Sequence, residues 1–218
     1  MTDLEQWLIV IPVLLFSVVV HECAHGLAAE RAGDPTARLL GRITLNPMSH
    51  IDPVGSILVP ILLLASNSTI FFAWAKPVPV NPRNFNEPRR DDIIVSIAGP
   101  ISNILLAVTF TVLLAIVVKV VPLDSSFWRS PYFEVFHYGI WINLILAFFN
   151  LIPIPPLDGS HILENLLPYE AARKYAAIRP YGFMILLAAL YFNLLTVFFL
   201  PARVIYRGLM MFVQAVAM

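Results

Sequence analysis

A single cysteine, Cys23, in a chain of 218 residues excludes an intrachain disulfide and any thiolate-rich metal cluster. Cys23 itself reads as a small buried hydrophobe. Charged side chains are also scarce: at 13% of residues against 59% hydrophobic, they are too few to cover a soluble globule of this size. The economical reading is a polytopic membrane protein. Neither sign of charge prevails, with 14 basic and 14 acidic side chains, so no basic field argues for nucleic acid. Gly/Ser-rich linkers, composition shifts and convincing repeats are absent, which leaves one domain over residues 1–218. The N-terminus is acidic where a cleavable signal peptide begins basic, so the first apolar segment is expected to be retained.

What the chain has in abundance is long apolar runs. The first, residues 7–29, is roughly 34 Å as a helix, enough to cross the hydrocarbon of a bilayer. Within it lies His21-Glu22-Cys23-Ala24-His25, with His21 roughly 12 Å from the far end of the run. Four residues make close to one helical turn, so both imidazoles project from one face and can share a metal ion. Zn²⁺ is the usual tenant of such a pair. Glu22, beside the first histidine, can serve as general base toward a water that the ion activates. Groups of this kind are costly at membrane depth, which makes them functional by default.

Residues 36–49 are short and turn-rich and read, around Arg42-Ile43-Thr44-Leu45, as an interfacial strand or loop. Residues 54–74 are apolar but cut by Ser66-Asn67-Ser68-Thr69, and the first piece is only about 18 Å long as a helix, the length of a segment that dips in and returns. Charge agrees. Residues 31–52 hold three Lys/Arg and residues 76–92 hold four, whereas residues 122–134 hold only Arg129. If basic loops face the cytoplasm, both flanks of residues 54–74 lie on the same side. Lys76-Pro77-Val78-Pro79-Val80-Asn81-Pro82 cannot be helical and is expected to run extended beside the site.

Residues 93–121 form the clearest later span. Near its start stands Ala98-Gly99-Pro100-Ile101-Ser102-Asn103, where glycine permits close helix approach and Asn103 is polar at membrane depth. Another span begins near Tyr138 and is stopped by the prolines of Asn150-Leu151-Ile152-Pro153-Ile154-Pro155-Pro156-Leu157-Asp158-Gly159. Asp158, on that broken backbone, is the best candidate for a third metal ligand, although it can also cap the short helix expected after it. Residues 180–200 read as a further span, and residues 203–218 as another crossing or an interfacial amphipathic helix. The expected fold is an all-α polytopic membrane protein of about five to six transmembrane helices, with a short re-entrant or β-like region after the first. Its N-terminus is outside, and His21, His25 and Asp158 lie toward the cytoplasmic face.

These motifs together resemble the site-2 protease family of M50-type intramembrane zinc metalloproteases. They stand in the family's order over a core of residues 7–167, followed by C-terminal helices over 178–218. The histidine motif alone is a weak signal in an apolar protein; joined to Leu-Asp-Gly on a later span it is specific. The resemblance implies one Zn²⁺ ion held by His21, His25 and Asp158, and Glu22 activating water for peptide hydrolysis inside the membrane. It places Asn150 near the catalytic centre and makes Asn103 a candidate to support it. The implied partners are a transmembrane protein or peptide substrate and the lipid bilayer, in a multi-pass protein of a bacterial-type plasma membrane. The length leaves no room for an inserted PDZ domain or a nucleotide-sensing CBS module, so the chain resembles a short form.

Other readings stay open. A noncatalytic scaffold or a metal transporter can use the same His/Asp cluster, though a transporter would spread polar ligands over several spans. Asn103 and Asn150 can simply cross-link helices, and His50, His137 and His161 read as structural or interfacial. Residues 72–80 can pair with an unwound substrate as an added strand, or be an ordinary proline-rich loop. Phe71, Phe72 and Trp74 fit an interfacial aromatic belt.

Overall fold

The computed structural model describes residues 3–59, 61–62, 74–121, 124 and 126–217, and among these every regular element is helical. Helix α1 (Asp3–Arg31) carries Arg31 in its last turn, where a helix dipole favours a basic side chain. Gly33 ends it. With φ at +104°, Gly33 adopts a conformation that other residues resist. Asp34 N then donates to Ala29 O at 2.9 Å and Gly33 N to Glu30 O at 3.1 Å, closing the helix in a Schellman motif. A single turn, α2 (Thr36–Leu39), follows.

Asp34 fastens the proline-rich segment to this end of α1. Its fully buried carboxylate accepts hydrogen bonds from Asn81 N at 2.7 Å, Asn84 Nδ2 at 2.8 Å and Thr36 N at 3.2 Å, and from the Thr36 hydroxyl. Burial alone would raise its pKa, but the bonds from Asn81, Thr36 and Asn84 outweigh burial and hold the carboxyl below its ordinary value. A depressed folded-state pKa stabilises above the unfolded value of about 3.9, and the gain is lost as pH falls through the folded value. Asp34→Ala is therefore expected to free residues 76–84 for limited proteolysis at neutral pH, each buried donor left unsatisfied costing about 1–3 kcal/mol. In the unmodified protein the same cleavage should appear only below about pH 4.

Helix α3 (Pro88–Val120) is the central element. It starts on Pro88, whose missing N–H costs nothing at a first helical position, and extends about 50 Å. It packs against α1, α4 (Pro131–Asn150), α5 (Asp158–Leu166) and α8 (Leu200–Ala217). Ala107 and Leu114 of α3, Ile140 and Leu144 of α4, and Ala202 and Val213 of α8 form the largest buried apolar cluster. Outward faces are apolar as well: Leu8 is 66% exposed and Leu105 is 61% exposed. Lipid tolerates such surfaces and water does not. Among the described residues four stretches are long and apolar enough to cross a membrane, Glu5–Arg31, Pro88–Val120, Pro131–Asn150 and Leu194–Ala217.

One expectation is corrected and one open alternative is decided. The apolar run over residues 180–200 is not one helix: it holds the ten-residue α7 (Gly182–Tyr191), reached from α6 (Tyr169–Ala176) through a short 3₁₀ turn. Asn193 then takes the left-handed conformation at φ 55°, and a 3₁₀ segment, Leu194–Phe199, leads into α8. The last long apolar helix is thus built mainly from the tail. Of the strand or loop expected around residues 42–45, the structure takes the loop: these residues have no regular secondary structure, and Thr44 O accepts from Cys23 Sγ at 3.1 Å and lies 2.9 Å from His50 Nε2.

Residues 63–73 lie outside the described residues, and with them the Ser66 to Thr69 interruption, Phe71 and Phe72. On either side of them the chain meets itself. Trp74 N donates to Gly55 O at 3.2 Å, Ser56 Oγ donates to Trp74 O at 2.7 Å, and Lys76 N donates to His50 O at 2.9 Å. Residues 74–80 have no regular secondary structure, as their prolines require.

Candidate active site

Helical periodicity puts His21 and His25 on the inner face of α1, and α3 lies directly against them. Gly99 makes this possible: a Cβ there would sit 2.5 Å from His25 Nε2 and 2.6 Å from His21 Nε2. Asp158 arrives on the broken backbone after α4, at the first position of α5. Leu157 occupies the cap position and no side chain caps that helix, so the carboxylate is not spent on the backbone. Gly159 tucks beneath the turn at residues 151–152, where a Cβ would collide with Leu151 O.

These elements bring three candidate ligands together. His21 Nε2 lies 3.0 Å from His25 Nε2, and Asp158 Oδ2 lies 3.2 Å and 3.3 Å from the two nitrogens. Among the described residues this is the one group of three that could hold a metal ion. The remaining ring nitrogens face outward, His25 Nδ1 toward Val95 O at 2.7 Å and His21 Nδ1 toward Asn103 Oδ1 at 2.7 Å. A carbonyl only accepts, so His25 carries its proton on Nδ1 and turns the Nε2 lone pair inward. Asp158 Oδ2 is buried with no hydrogen-bond donor. Converging acceptors this close repel one another unless a cation sits among them. Tetrahedral zinc with ligands at about 2.0–2.1 Å sets its donors about 3.3 Å apart, and the observed spacings fit that figure.

Beside the cluster opens a cavity of about 760 Å³, within the usual range for ligand sites. Its walls include Glu22, Asn150, His161, Trp74, Pro77, Val78 and Phe183 of α7. Glu22 Oε2 accepts from Val78 N at 2.7 Å, the single N–H available between Pro77 and Pro79. Asn150 stands on the cavity wall at the end of α4 and donates from Nδ2 to Leu146 O at 3.0 Å. Asn103 is elsewhere, fully buried behind His21. His161 lies one turn beyond Asp158, its Nδ1 3.6 Å from Asp92 Oδ2, and that carboxylate holds its pKa above the ordinary histidine value against the opposing effect of burial. His50 and His137 lie away from the cluster, against Thr44 O and the Tyr206 hydroxyl. Trp74 and Phe183 meet edge to face, with ring centroids 6.0 Å apart.

Two residues that the motifs pass over, Ser17 and Asn143, are fully buried and join Asn103 behind His21. A signal for both was present in the sequence. Ser17 stands one turn before His21 and Asn143 two turns before Asn150, each polar at membrane depth and on the same helix face as a motif residue.

A family model described as Peptidase family M50 matches residues 9–129 and 116–192. YwhC of Bacillus subtilis (strain 168), named as a candidate zinc metalloprotease, is 42% identical over 177 residues, which cover 80% of this chain and 76% of that one. Rip2 of Mycolicibacterium smegmatis, named likewise, is 32% identical over 188 residues, covering 84% and 67% of the two chains. No solved structure matches the chain.

Proposed function

The chain belongs to peptidase family M50 and is a membrane-embedded metalloprotease, and from that premise we propose that it hydrolyses peptide bonds in or near transmembrane segments of other proteins. His21, His25 and Asp158 hold one zinc ion in this reading, and Glu22 is the general base. The observation that carries it is the meeting of three buried acceptors with a carboxylate on the wall of the same cavity. Zinc, when bound, supplies a Lewis acid that polarises a carbonyl and lowers the pKa of water toward about 7.

The chain's own residues do the rest. Glu22, steadied at Oε2 by Val78 N–H, has Oε1 to take a proton from water and pass it to the leaving amine. Asn150, on the cavity wall, offers an amide to a substrate carbonyl. A transmembrane substrate must unwind before its carbonyls are free, and the extended residues 74–80 border the space where it would lie. The weight of basic side chains in residues 31–52 and 76–92 supports a site facing the cytoplasm.

Glu22→Gln tests the assignment, because glutamine still accepts from Val78 N and leaves the metal cluster intact. Purified protein is incubated with a membrane-segment substrate, and bound zinc is measured in parallel. The expected result is cleavage reduced by about 10²–10⁴-fold with zinc retained. Equal cleavage by the two proteins sinks the catalytic role of Glu22.

A further inference from the structure

We propose that Asn143 is a positioning residue which, through Asn103, dictates the nitrogen of His21 that carries the proton. This rests on the reading of His21 as a metal ligand. Ser17, Asn103 and Asn143 are each 0% exposed and connect α1, α3 and α4 at the level of the cluster. His21 Nδ1 faces Asn103 Oδ1 at 2.7 Å. Asn103 Nδ2 donates to Asn143 Oδ1 at 2.8 Å and to Ser17 O at 3.3 Å. Asn143 Nδ2 donates to Ser17 Oγ at 2.8 Å and to Gly139 O at 2.8 Å. Ser17 Oγ donates to Val13 O at 2.7 Å.

The direction of this relay is forced. An amide side chain can face either way until its partners decide, and backbone carbonyls only accept. Val13 O takes the one proton of the Ser17 hydroxyl, so Ser17 Oγ can offer Asn143 nothing but lone pairs. Rotating Asn143 by half a turn would set its oxygen against Gly139 O and against that spent hydroxyl, and its nitrogen against Asn103 Nδ2. Rotating Asn103 as well would set its oxygen against Ser17 O. Three carbonyls on two helices thereby fix the sense of every bond, all donors pointing away from His21. Asn103 presents its oxygen to His21, His21 is protonated on Nδ1, and the Nε2 lone pair faces His25 and Asp158. His25 reaches the same tautomer through one backbone carbonyl, Val95 O. Outer partners of this kind set ligand tautomer and orientation in metal sites, and losing one costs about 10–100-fold in affinity.

A merely adhesive role for the same residues predicts lost stability and nothing else. The full chain is prepared in detergent or nanodiscs with ¹⁵N-labelled histidine. In the metal-free protein, the His21 ring shifts are expected to report Nδ1–H. In Asn143→Leu they should move toward a mixture of tautomers, with zinc affinity, by chelator competition, falling about 10–100-fold. Asn143→Asp, with its carboxyl protonated, keeps an acceptor for Asn103 and one donor for Gly139 O but loses the donor to Ser17 Oγ, and should restore both readouts in part. Thr111→Val is the control: Thr111 is buried on α3 but bonds only Ala107 O of its own helix, so neither readout should change. If Asn143→Leu does not fold, Asn143→Ala removes the amide without adding bulk and carries the same expectation. Unchanged His21 shifts and zinc affinity within twofold in a folded Asn143 truncation would overturn the inference. Failure of the unsubstituted protein to bind zinc would instead count against the proposed function, and the tautomer readout distinguishes the two.

Discussion

Gly99→Ala is expected to abolish zinc binding and peptide hydrolysis together while leaving the helices formed. A Cβ at this position would lie 2.5 Å from His25 Nε2 and 2.6 Å from both Cε1 and Nε2 of His21, closer than carbon approaches such atoms. One of two things must give. If the imidazoles turn aside, His25 loses its bond to Val95 O and His21 its bond to Asn103, and the inward lone pairs no longer converge. If α3 backs away instead, it carries Val95 and Asn103 with it and loosens its packing on α1, α4 and α5. A zinc site tolerates about 0.2 Å in its ligand distances, so neither route preserves it.

The loss should exceed the roughly 10–100-fold that follows removal of one outer partner, because both histidines are displaced at once. Zinc content after gel filtration and far-ultraviolet circular dichroism give the two readouts. Gly208→Ala is the matched control: nothing lies within 4 Å of a Cβ built there, and alanine in the interior of α8 should add up to about 1 kcal/mol of stability. Full zinc content in Gly99→Ala would show that α3 accommodates a methyl group over the imidazoles, and the close approach would lose its functional meaning.

The same residues mark what the sequence disclosed and what it withheld. A four-residue spacing in a helix puts two imidazoles on one face, so the pair at His21 and His25 was legible from periodicity alone. Asp158 was legible because three prolines break the backbone at membrane depth and a carboxylate follows. Gly99 was legible as a point of close approach, but not as a cover over the two imidazoles, since that depends on how α3 crosses α1. Ring orientation was out of reach for the same reason: it is set by Val95 O and Asn103, 70 and 82 residues distant from their histidines.

Elsewhere local pattern left alternatives open or misled. Ile43 and Thr44 suit a strand by propensity, yet a strand needs a partner, and Thr44 O is met by Cys23 and His50 instead. Hydropathy over residues 180–200 measures apolar length but is blind to a left-handed asparagine, so the turn at Asn193 was invisible. The prolines around Val78 excluded a helix there correctly, because proline disfavours helix by its own chemistry. That the N–H between Pro77 and Pro79 would point at Glu22 is a matter of tertiary placement.

Asp158→Ala is expected to remove the dependence of thermal stability on zinc along with all cleavage. In the unsubstituted protein, zinc at 100 times its dissociation constant should stabilise the fold by about 2.7 kcal/mol, read as a higher Tm with zinc than with chelator. That difference requires a ligand set able to hold the ion. Two neutral imidazoles without the carboxylate supply neither the third donor nor the negative charge that offsets the cation's desolvation. The scans with zinc and with chelator should therefore coincide in Asp158→Ala. Truncation should otherwise leave the local fold in place: the side chain caps no helix, its Oδ2 has no donor, and His25 stays bonded to Val95 O. Asp158 at the first position of α5 gains about 0.3–1 kcal/mol from the helix dipole, which its removal in chelator forfeits along with its contacts to His21 and His25. Glu22→Gln supplies the contrast, with the zinc-dependent shift intact and cleavage reduced by about 10²–10⁴-fold, so the two variants separate holding the ion from moving the proton. If Asp158→Ala lost cleavage but kept the full zinc-dependent shift, the third donor would lie elsewhere, and the carboxylate among the two imidazoles would act on the substrate rather than on the metal.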